Sequence, residues 1–321
     1  MVKHICVVTG SRAEYGLLKW VIDGIKDSQL LELQLVVTGP HLSKDFGFTV
    51  REIEQDGASI DYQIEMLLAS DTSVGVSKSL GLGVIGFADA LARLKPGMVL
   101  LLGDRYEIFS AATAAMIARI PIAHVHGGES TEGLVDDAIR HAITKMSQLH
   151  FVAAEPYRDR VIQMGEHPHR VHNVGGLGVE SVRRTRLMDR EQLEKELGIT
   201  LLPPTFLATF HPVTLRPEAS VSDFSEMLEA LRMLNDSQVL FTMPNSDTEG
   251  RDLAHMIRAF CSKHVNAHFF ESLGQLAYLS LMAQVNGVVG NSSSGLLEAP
   301  ALRVGSVNIG SRQSGRLLAP S

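Results

Sequence analysis

Cysteine is scarce: Cys6 and Cys261 are the only two in 321 residues, which excludes a disulfide framework and a metal knuckle and fits a reducing, cytoplasmic setting. No lysine-rich run occurs, and 29 Lys+Arg against 36 Asp+Glu leave a net charge of −7, so the electrostatic footprint of a nucleic-acid binder is missing. No stretch reaches the ~18 uninterrupted apolar residues of a membrane helix. The opening Met1-Val2-Lys3-His4 leads into an apolar run broken at Gly10, too short for a signal peptide. Disorder, collagen-like repeats and coiled coil are excluded by 45% hydrophobic and 20% charged residues with 28 Gly and 12 Pro.

What remains is an ordinary globular composition over about twice the ~150-residue length of a common domain, which predicts two domains. Short apolar runs alternate with longer amphipathic ones, the pattern of a parallel-sheet α/β protein. In the first half, strands are predicted at residues 4–8, 33–38, 99–102, 122–125 and 151–153, and helices at 14–28, 49–55, 76–94, 108–119 and 137–147. The runs are continuously apolar, as strands covered on both faces must be. The rhythm breaks in a charged segment from Arg183 to Glu196 and then restarts, with strands at 206–209, 239–241, 268–270, 287–289 and 304–309 and helices at 222–234, 249–263 and 273–282. Two Rossmann-like domains are expected, residues 1–177 and 178–321, the boundary falling near 175–185.

In such sheets ligands bind beyond the carboxyl ends of the strands. The turn Thr9-Gly10-Ser11-Arg12 opens a helix, where free N–H groups and Arg12 suit an anion. Gly103-Asp104-Arg105 follows another strand, and His124-Val125-His126-Gly127-Gly128-Glu129 a third, with Asp136-Asp137 at the next helix start. Adjacent parallel strands would bring Asp104 near His126 and Glu129, a clustering of carboxylates that suits proton transfer. For single residues there are plainer roles: Asp136 or Asp137 as a helix cap, Asp104 paired with Arg105 or Arg140, His124 as a satisfied core histidine. A metal is also conceivable at His124 and His126, but no further ligand pair has the usual spacing, so none is expected. In the second half His211 and Asn245 follow strands. Asn291-Ser292-Ser293-Ser294-Gly295 leads into a short helix carrying Glu298, offering hydroxyls and N–H groups to a diphosphate and a carboxylate to ribose hydroxyls. Arg312 adds a cation after the last strand. Carboxylates in one half and anion-binding turns in the other suggest a nucleotide-sugar held between two domains.

The ordered segments GSRAEYG, TGPHLSKDFG, LGDRYE, HVHGGE, DDAIRHAITK, FHPVT, PNSD, GNSSSG, LEAP and NIGSRQSGR span nearly the whole chain. Together they resemble the hydrolysing UDP-N-acetylglucosamine 2-epimerases of sialic acid synthesis. The resemblance implies a GT-B-type fold with the active site in the interdomain cleft. It also implies conversion of UDP-N-acetylglucosamine and water to UDP and N-acetylmannosamine, without metal or nicotinamide, by a homo-oligomer. By resemblance Arg12, His211, Ser292, Ser293 and Arg312 hold UDP, with Glu298 on the ribose and Asn245 as a further candidate; Asp104 and Asp136 are catalytic carboxylates, and His41 and Arg105 line the cleft. Many members carry Glu in H-I-E-G-G-E where this chain has His126, so that role falls to His126 or Glu129. Members usually continue beyond NIGSRQSGR with elements crossing back onto the first domain, whereas this chain stops at Ser321; a shortened C-terminus with uncovered apolar surface is therefore expected. Three other functions fit the same features: a 2-epimerase acting on a UDP- or GDP-linked 2,4-diacetamido-2,4,6-trideoxyglucose, a GT-B glycosyltransferase, and a non-catalytic nucleotide-sugar binder.

Overall fold

The computed structural model describes residues 2–318 except 71, 132–134, 214–216, 235 and 245–249. It divides into two compact units, residues 1–129 with 136–177, and residues 130–135 with 178–321.

The first unit is a seven-stranded parallel sheet in the order β3-β2-β1-β4-β5-β6-β7. Its strands are β1 (Lys3–Thr9), β2 (Leu31–Thr38), β3 (Tyr62–Ile64), β4 (Met98–Leu102), β5 (Ile122–Val125), β6 (Leu149–Val152) and β7 (Val171–Asn173). Alternate residues of β1 feed different cores. Cys6 and Val8 join Phe87, Leu101, Ile108 and Ile143 on one face, while Ile5 and Val7 join Leu18, Ile22, Leu35 and Ile53 on the other. Helices α3 (Ser73–Leu94), α4 (Tyr106–Ile117) and α5 (Val135–Met146) supply the first face, and α1 (Arg12–Lys26) and α2 (Val50–Gln55) the second. By length and composition α3 could cross a membrane, yet it carries Lys78, Asp89 and Arg93 and buries Phe87, Ala90 and Leu91 in the core. A 9-residue helix, α6 (Glu155–Gln163), packs beside β6 and β7 through Tyr157 and Val161.

The second unit begins with two short charged helices, α7 (Leu177–Arg184) and α8 (Arg190–Leu197), where sequence rhythm alone suggests only a break. Asp189 caps α8 through a capping box with Gln192, and Gly198 ends it in the left-handed conformation. The five-stranded parallel sheet follows in the order β10-β9-β8-β11-β12, built from β8 (Thr205–Thr209), β9 (Gln238–Thr242), β10 (Ala267–Phe270), β11 (Gly287–Gly290) and β12 (Ser306–Asn308). Helices α9 (Pro217–Arg232) and α10 (Gly250–Lys263) cover one face, and α11 (Gly274–Met282) with α8 the other; α12 (Ser294–Ala301) follows β11 and packs on β12.

Both sheets reverse strand order once, between β1 and β4 and between β8 and β11. At such a switch point the two flanking loops diverge and leave a crevice for ligand. Arg12 follows β1 and Asp104 follows β4; His211 follows β8 and Ser292-Ser293 follow β11. Of the sequence-predicted site residues, Arg12, Asp104, His211, Ser292 and Ser293 thus sit at the switch points.

Candidate active site

Arg140 organises the first unit's polar cluster. From the second turn of α5 its guanidinium is 3% exposed and ties together acceptors from two loops. Nη2 donates to Asp104 Oδ2, and Nη1 donates to Glu129 Oε2 at 3.0 Å and to the His126 carbonyl at 3.2 Å. Asp104 therefore pairs with Arg140, not with Arg105, whose Nε and Nη2 lie 3.3 and 3.4 Å from the Glu107 carboxylate. The Asp104 side chain keeps 19% exposure against 4% for Glu129, so Asp104 is the carboxylate a substrate can reach. Asp136 lies one helical turn before Arg140 on α5, a spacing that puts the two on one helix face.

His126 is shaped by its loop. Its φ is +64° and that of Gly128 is +77°; a Cβ on Gly128 would press on the Tyr157 carbonyl and Val161, so only glycine fits there. The ring's Nε2 accepts the Leu177 N–H at 3.2 Å, while Nδ1 lies 3.0 Å from Glu129 Oε1. An acceptor nitrogen carries no proton, so the hydrogen-bond pattern assigns the Nδ1–H tautomer donating to Glu129. His126 and Glu129 thus hold each other, and Glu129 in turn holds Arg140. His124, fully buried, sets Nε2 2.8 Å from the Gly103 carbonyl and Nδ1 3.1 Å from Thr144 Oγ1; burial pushes its pKa down to about 4. It is a neutral core histidine that pins the turn before Asp104. Among the described residues no group of three His, Cys, Asp or Glu is placed to hold a metal.

His41 is also fully buried, its ring between Thr9 Oγ1 at 3.0 Å and Thr49 Oγ1 at 2.8 Å. Burial lowers its pKa to about 4, and the nearby Arg12 guanidinium acts in the same direction. It supports the β1 and β2 loops from beneath. Arg12 stands at the first position of α1, with Ser11 as N-cap accepting from the Glu14 N–H; burial disfavours its charge and Glu52 restores part of it. Beneath that turn Glu14 accepts the Gly10 N–H at 2.7 Å, and its carboxyl is pushed up to about 7 by burial and by the neighbouring Glu107. Nothing in the composition of the turn signals this buried carboxyl pair.

In the second unit Asn291, 1% exposed, joins three segments. Its Oδ1 accepts the His211 N–H at 2.7 Å and its Nδ2 donates to the His211 carbonyl at 2.8 Å. Its own carbonyl accepts from Gln313 Nε2 at 2.7 Å and Arg312 Nη1 at 3.2 Å. In the sequence Asn291 reads only as part of a polar turn; its position one residue after a buried strand is the signal that marks it. Gly290, φ +137°, must be glycine, because a Cβ would collide with the Thr209 carbonyl. Ser292 and Ser293 form the N-terminal edge of α12, with Ser292 Oγ accepting the Ser294 N–H at 3.3 Å. Tyr278, raised to about 12 by burial, lies beside Ser294, Thr209 and Ser292, whose side chains partly offset that rise. Glu298 lies further along α12, and a Cβ on Gly178 would meet its carboxylate, so the glycine leaves room for it. Asn245 lies outside the described residues.

Residues 23–321 match the family described as UDP-N-acetylglucosamine 2-epimerase. The chain belongs to that family. Among its relatives in the family, a GDP/UDP-N,N'-diacetylbacillosamine 2-epimerase (hydrolyzing) of Campylobacter jejuni is 40% identical over 98% of this chain and 82% of its own length. Polysialic acid biosynthesis protein P7 of Escherichia coli is 38% identical over 98% and 80%. The solved UDP-GlcNAc 2-epimerase of Neisseria meningitidis bound to UDP-GlcNAc superposes with a TM-score of 0.78 at 18% identity, over 95% of this chain and 82% of that one, which shows the shared fold of two Rossmann-like α/β units.

Proposed function

We propose that the chain is a hydrolysing 2-epimerase that converts UDP-N-acetylglucosamine and water to UDP and N-acetylmannosamine for sialic acid synthesis, in the cytoplasm and with no metal or nicotinamide. The observation that carries this is the pair of carboxylates gripped by one guanidinium, Asp104 part-exposed at the switch point of the first sheet and Glu129 buried after the adjacent strand.

Carbon-2 of the sugar has no neighbouring carbonyl, so its proton becomes acidic only as the carbon-1 to phosphate bond breaks and positive charge builds on the ring. Stabilising the leaving diphosphate comes first. Ser292, Ser293, the α12 N-terminus, His211 and Arg312 supply that stabilisation, Arg12 adds a cation from the first unit, and Glu298 takes the ribose hydroxyls. Asp104, paired with Arg140, then removes the carbon-2 proton to leave a glycal. Asp136 guides water to carbon-1 as a proton returns to carbon-2 on the opposite face, inverting that centre. His126 and Glu129 position Arg140 and do not touch substrate; Arg105 and His41 support the loops. Such acid–base positioning contributes about 10²–10⁴-fold.

A diacetamido substrate is the second candidate, favoured by two hydrolysing relatives named for diacetylbacillosamine, that of Campylobacter jejuni at 40% identity and that of Legionella pneumophila at 35%. Incubation with UDP-N-acetylglucosamine and, separately, with UDP-N,N'-diacetylbacillosamine in D₂O, followed by NMR, tests both. The expected result is free UDP and a 2-epimeric sugar with deuterium at carbon-2. Release of UDP without exchange at carbon-2 would exclude the elimination route, and transfer to an added acceptor would reveal a glycosyltransferase.

A further inference from the structure

Two buried carboxyl groups lie beneath the first unit's switch point, and neither touches substrate in the proposed reaction. Glu14, in the first turn of α1, is 8% exposed, and Glu107, in the first turn of α4, is fully buried. Both press on Gly10: a Cβ there would lie 3.3 Å from Glu107 Cβ and 3.3 Å from Glu14 Oε2. Glu107 also fills the space beside Gly39, φ +58°, in the loop after β2, where a Cβ would come within 2.9 Å of its Cγ. Its side chain thus packs the loop after β4 against those after β1 and β2.

The pair is fastened by polar contacts. Glu14 Oε2 accepts the Gly10 N–H at 2.7 Å, and Arg105 sets Nε 3.3 Å and Nη2 3.4 Å from the two Glu107 oxygens. Arg105 also attracts Glu14, so one guanidinium faces two carboxyls. One cation offsets one carboxylate in a water-poor site, and a second negative charge is left to repel the first. The other charged or titratable groups nearby do not remedy this: Arg12 on the same turn interacts with Glu52 of α2, and burial keeps His41 neutral. Burial, and then Glu107, push the Glu14 carboxyl up to about 7. Meanwhile Arg12 Nη1, on the turn that Glu14 fastens, is buried with no hydrogen-bond partner among the described residues, a cation placed to meet an anion.

We infer that Glu14 and Glu107 are a positioning pair sharing one proton, and that this proton keeps the Gly10 turn and the Arg105 loop in the arrangement that receives a diphosphate. The inference rests on the nucleotide-sugar reading of the site. With the proton the pair carries one negative charge, offset by Arg105. Without it a second negative charge sits under the turn, draws on Arg12 and repels the arriving diphosphate. Proton and diphosphate therefore favour each other's binding.

Infrared spectroscopy of the free chain and calorimetry of UDP binding in buffers of different ionisation enthalpy test it. At about pH 7 the free chain should show the carbonyl stretch of a protonated carboxylic acid. Glu14→Gln, which keeps an oxygen for the Gly10 N–H, should remove that band, and Glu107→Gln, which leaves Arg105 to Glu14 alone, should weaken it. Above about pH 7 the wild-type chain should take up a proton as UDP binds, and by about pH 8.5 its UDP affinity should fall about tenfold relative to Glu14→Gln; the ratio cancels the titration of UDP itself. Circular dichroism checks that the variants fold, and proton uptake by the wild type needs no variant. No band at about pH 7, a band that survives Glu14→Gln, UDP binding without proton uptake, or an affinity ratio that does not change with pH would each overturn the inference. A chain that binds no UDP at any pH would overturn the functional reading instead, and the band would still decide whether the pair shares a proton.

Discussion

Arg140 is the side chain on which the carboxylate cluster depends, since it bridges Asp104, Glu129 and the His126 carbonyl. Arg140→Lys replaces a planar fork with a point charge that cannot serve all three acceptors. It should cost about 1–3 kcal/mol of stability in urea unfolding, less than the ~3–5 kcal/mol of removing the charge outright, and should lower kcat at least ~10-fold. Asp104→Asn keeps the shape and removes the proposed base: turnover should fall ~10²–10⁴-fold with UDP affinity unchanged by calorimetry, and near-normal turnover would take Asp104 out of the mechanism. Asn291→Ala leaves the buried N–H and carbonyl of His211 without their partner, so a loss of about 2–4 kcal/mol in stability is expected, together with weaker UDP binding. The amino-acid sequence is enough to group Asp104, His126 and Glu129, because parallel neighbouring strands place their loops together. Arg140 is one of two partners the sequence offers Asp104, and the structure selects it; that Arg140 also holds Glu129, and that Asn291 is a buried junction, are harder to see, because an arginine inside an amphipathic helix and an asparagine in a polar turn look solvated until the helix packs and the strand is buried.

The strands are legible at the scale of elements because each central one is covered on both faces and reads as a continuous apolar run, as β4 and β5 do. The edge strands β3 and β7, three residues each with exposed positions, carry no such run, and the charged α7 and α8 have too few buried positions for helical periodicity to stand out. Turn chemistry is where a single substitution should be decisive. Gly290→Ala combines a φ of +137° with a collision against the Thr209 carbonyl, which would pry β11 from β8. A loss above about 3 kcal/mol is expected by thermal or urea unfolding; an alanine variant of native stability would mean the junction relaxes freely.

For the whole molecule, buried ionisable groups set opposing pH dependences. His41 and His124, lowered to about 4, stay neutral in the folded chain while the unfolded chain protonates, so their contribution is present above about pH 6.5 and lost as pH falls toward 4. Glu14, raised to about 7, contributes most below its unfolded value near 4.5 and loses that contribution as pH rises to 7. Between about pH 6.5 and 4.5 these histidines, joined by His141 and His150, which burial also lowers, oppose the raised Glu14 and Glu52 and outnumber them, so stability should fall on acidification. Glu14→Gln removes one offsetting group and should steepen that slope, whereas a slope unchanged by the substitution would mean Glu14 does not titrate there. The knot at Asn291 has its own consequence. With His211, Arg312 and Gln313 all fastened to one residue, these loops of the second unit stiffen as a set, and on the proposed function arrival of UDP should slow amide exchange near 211, 291 and 312 in concert, one event felt at three places far apart in the chain.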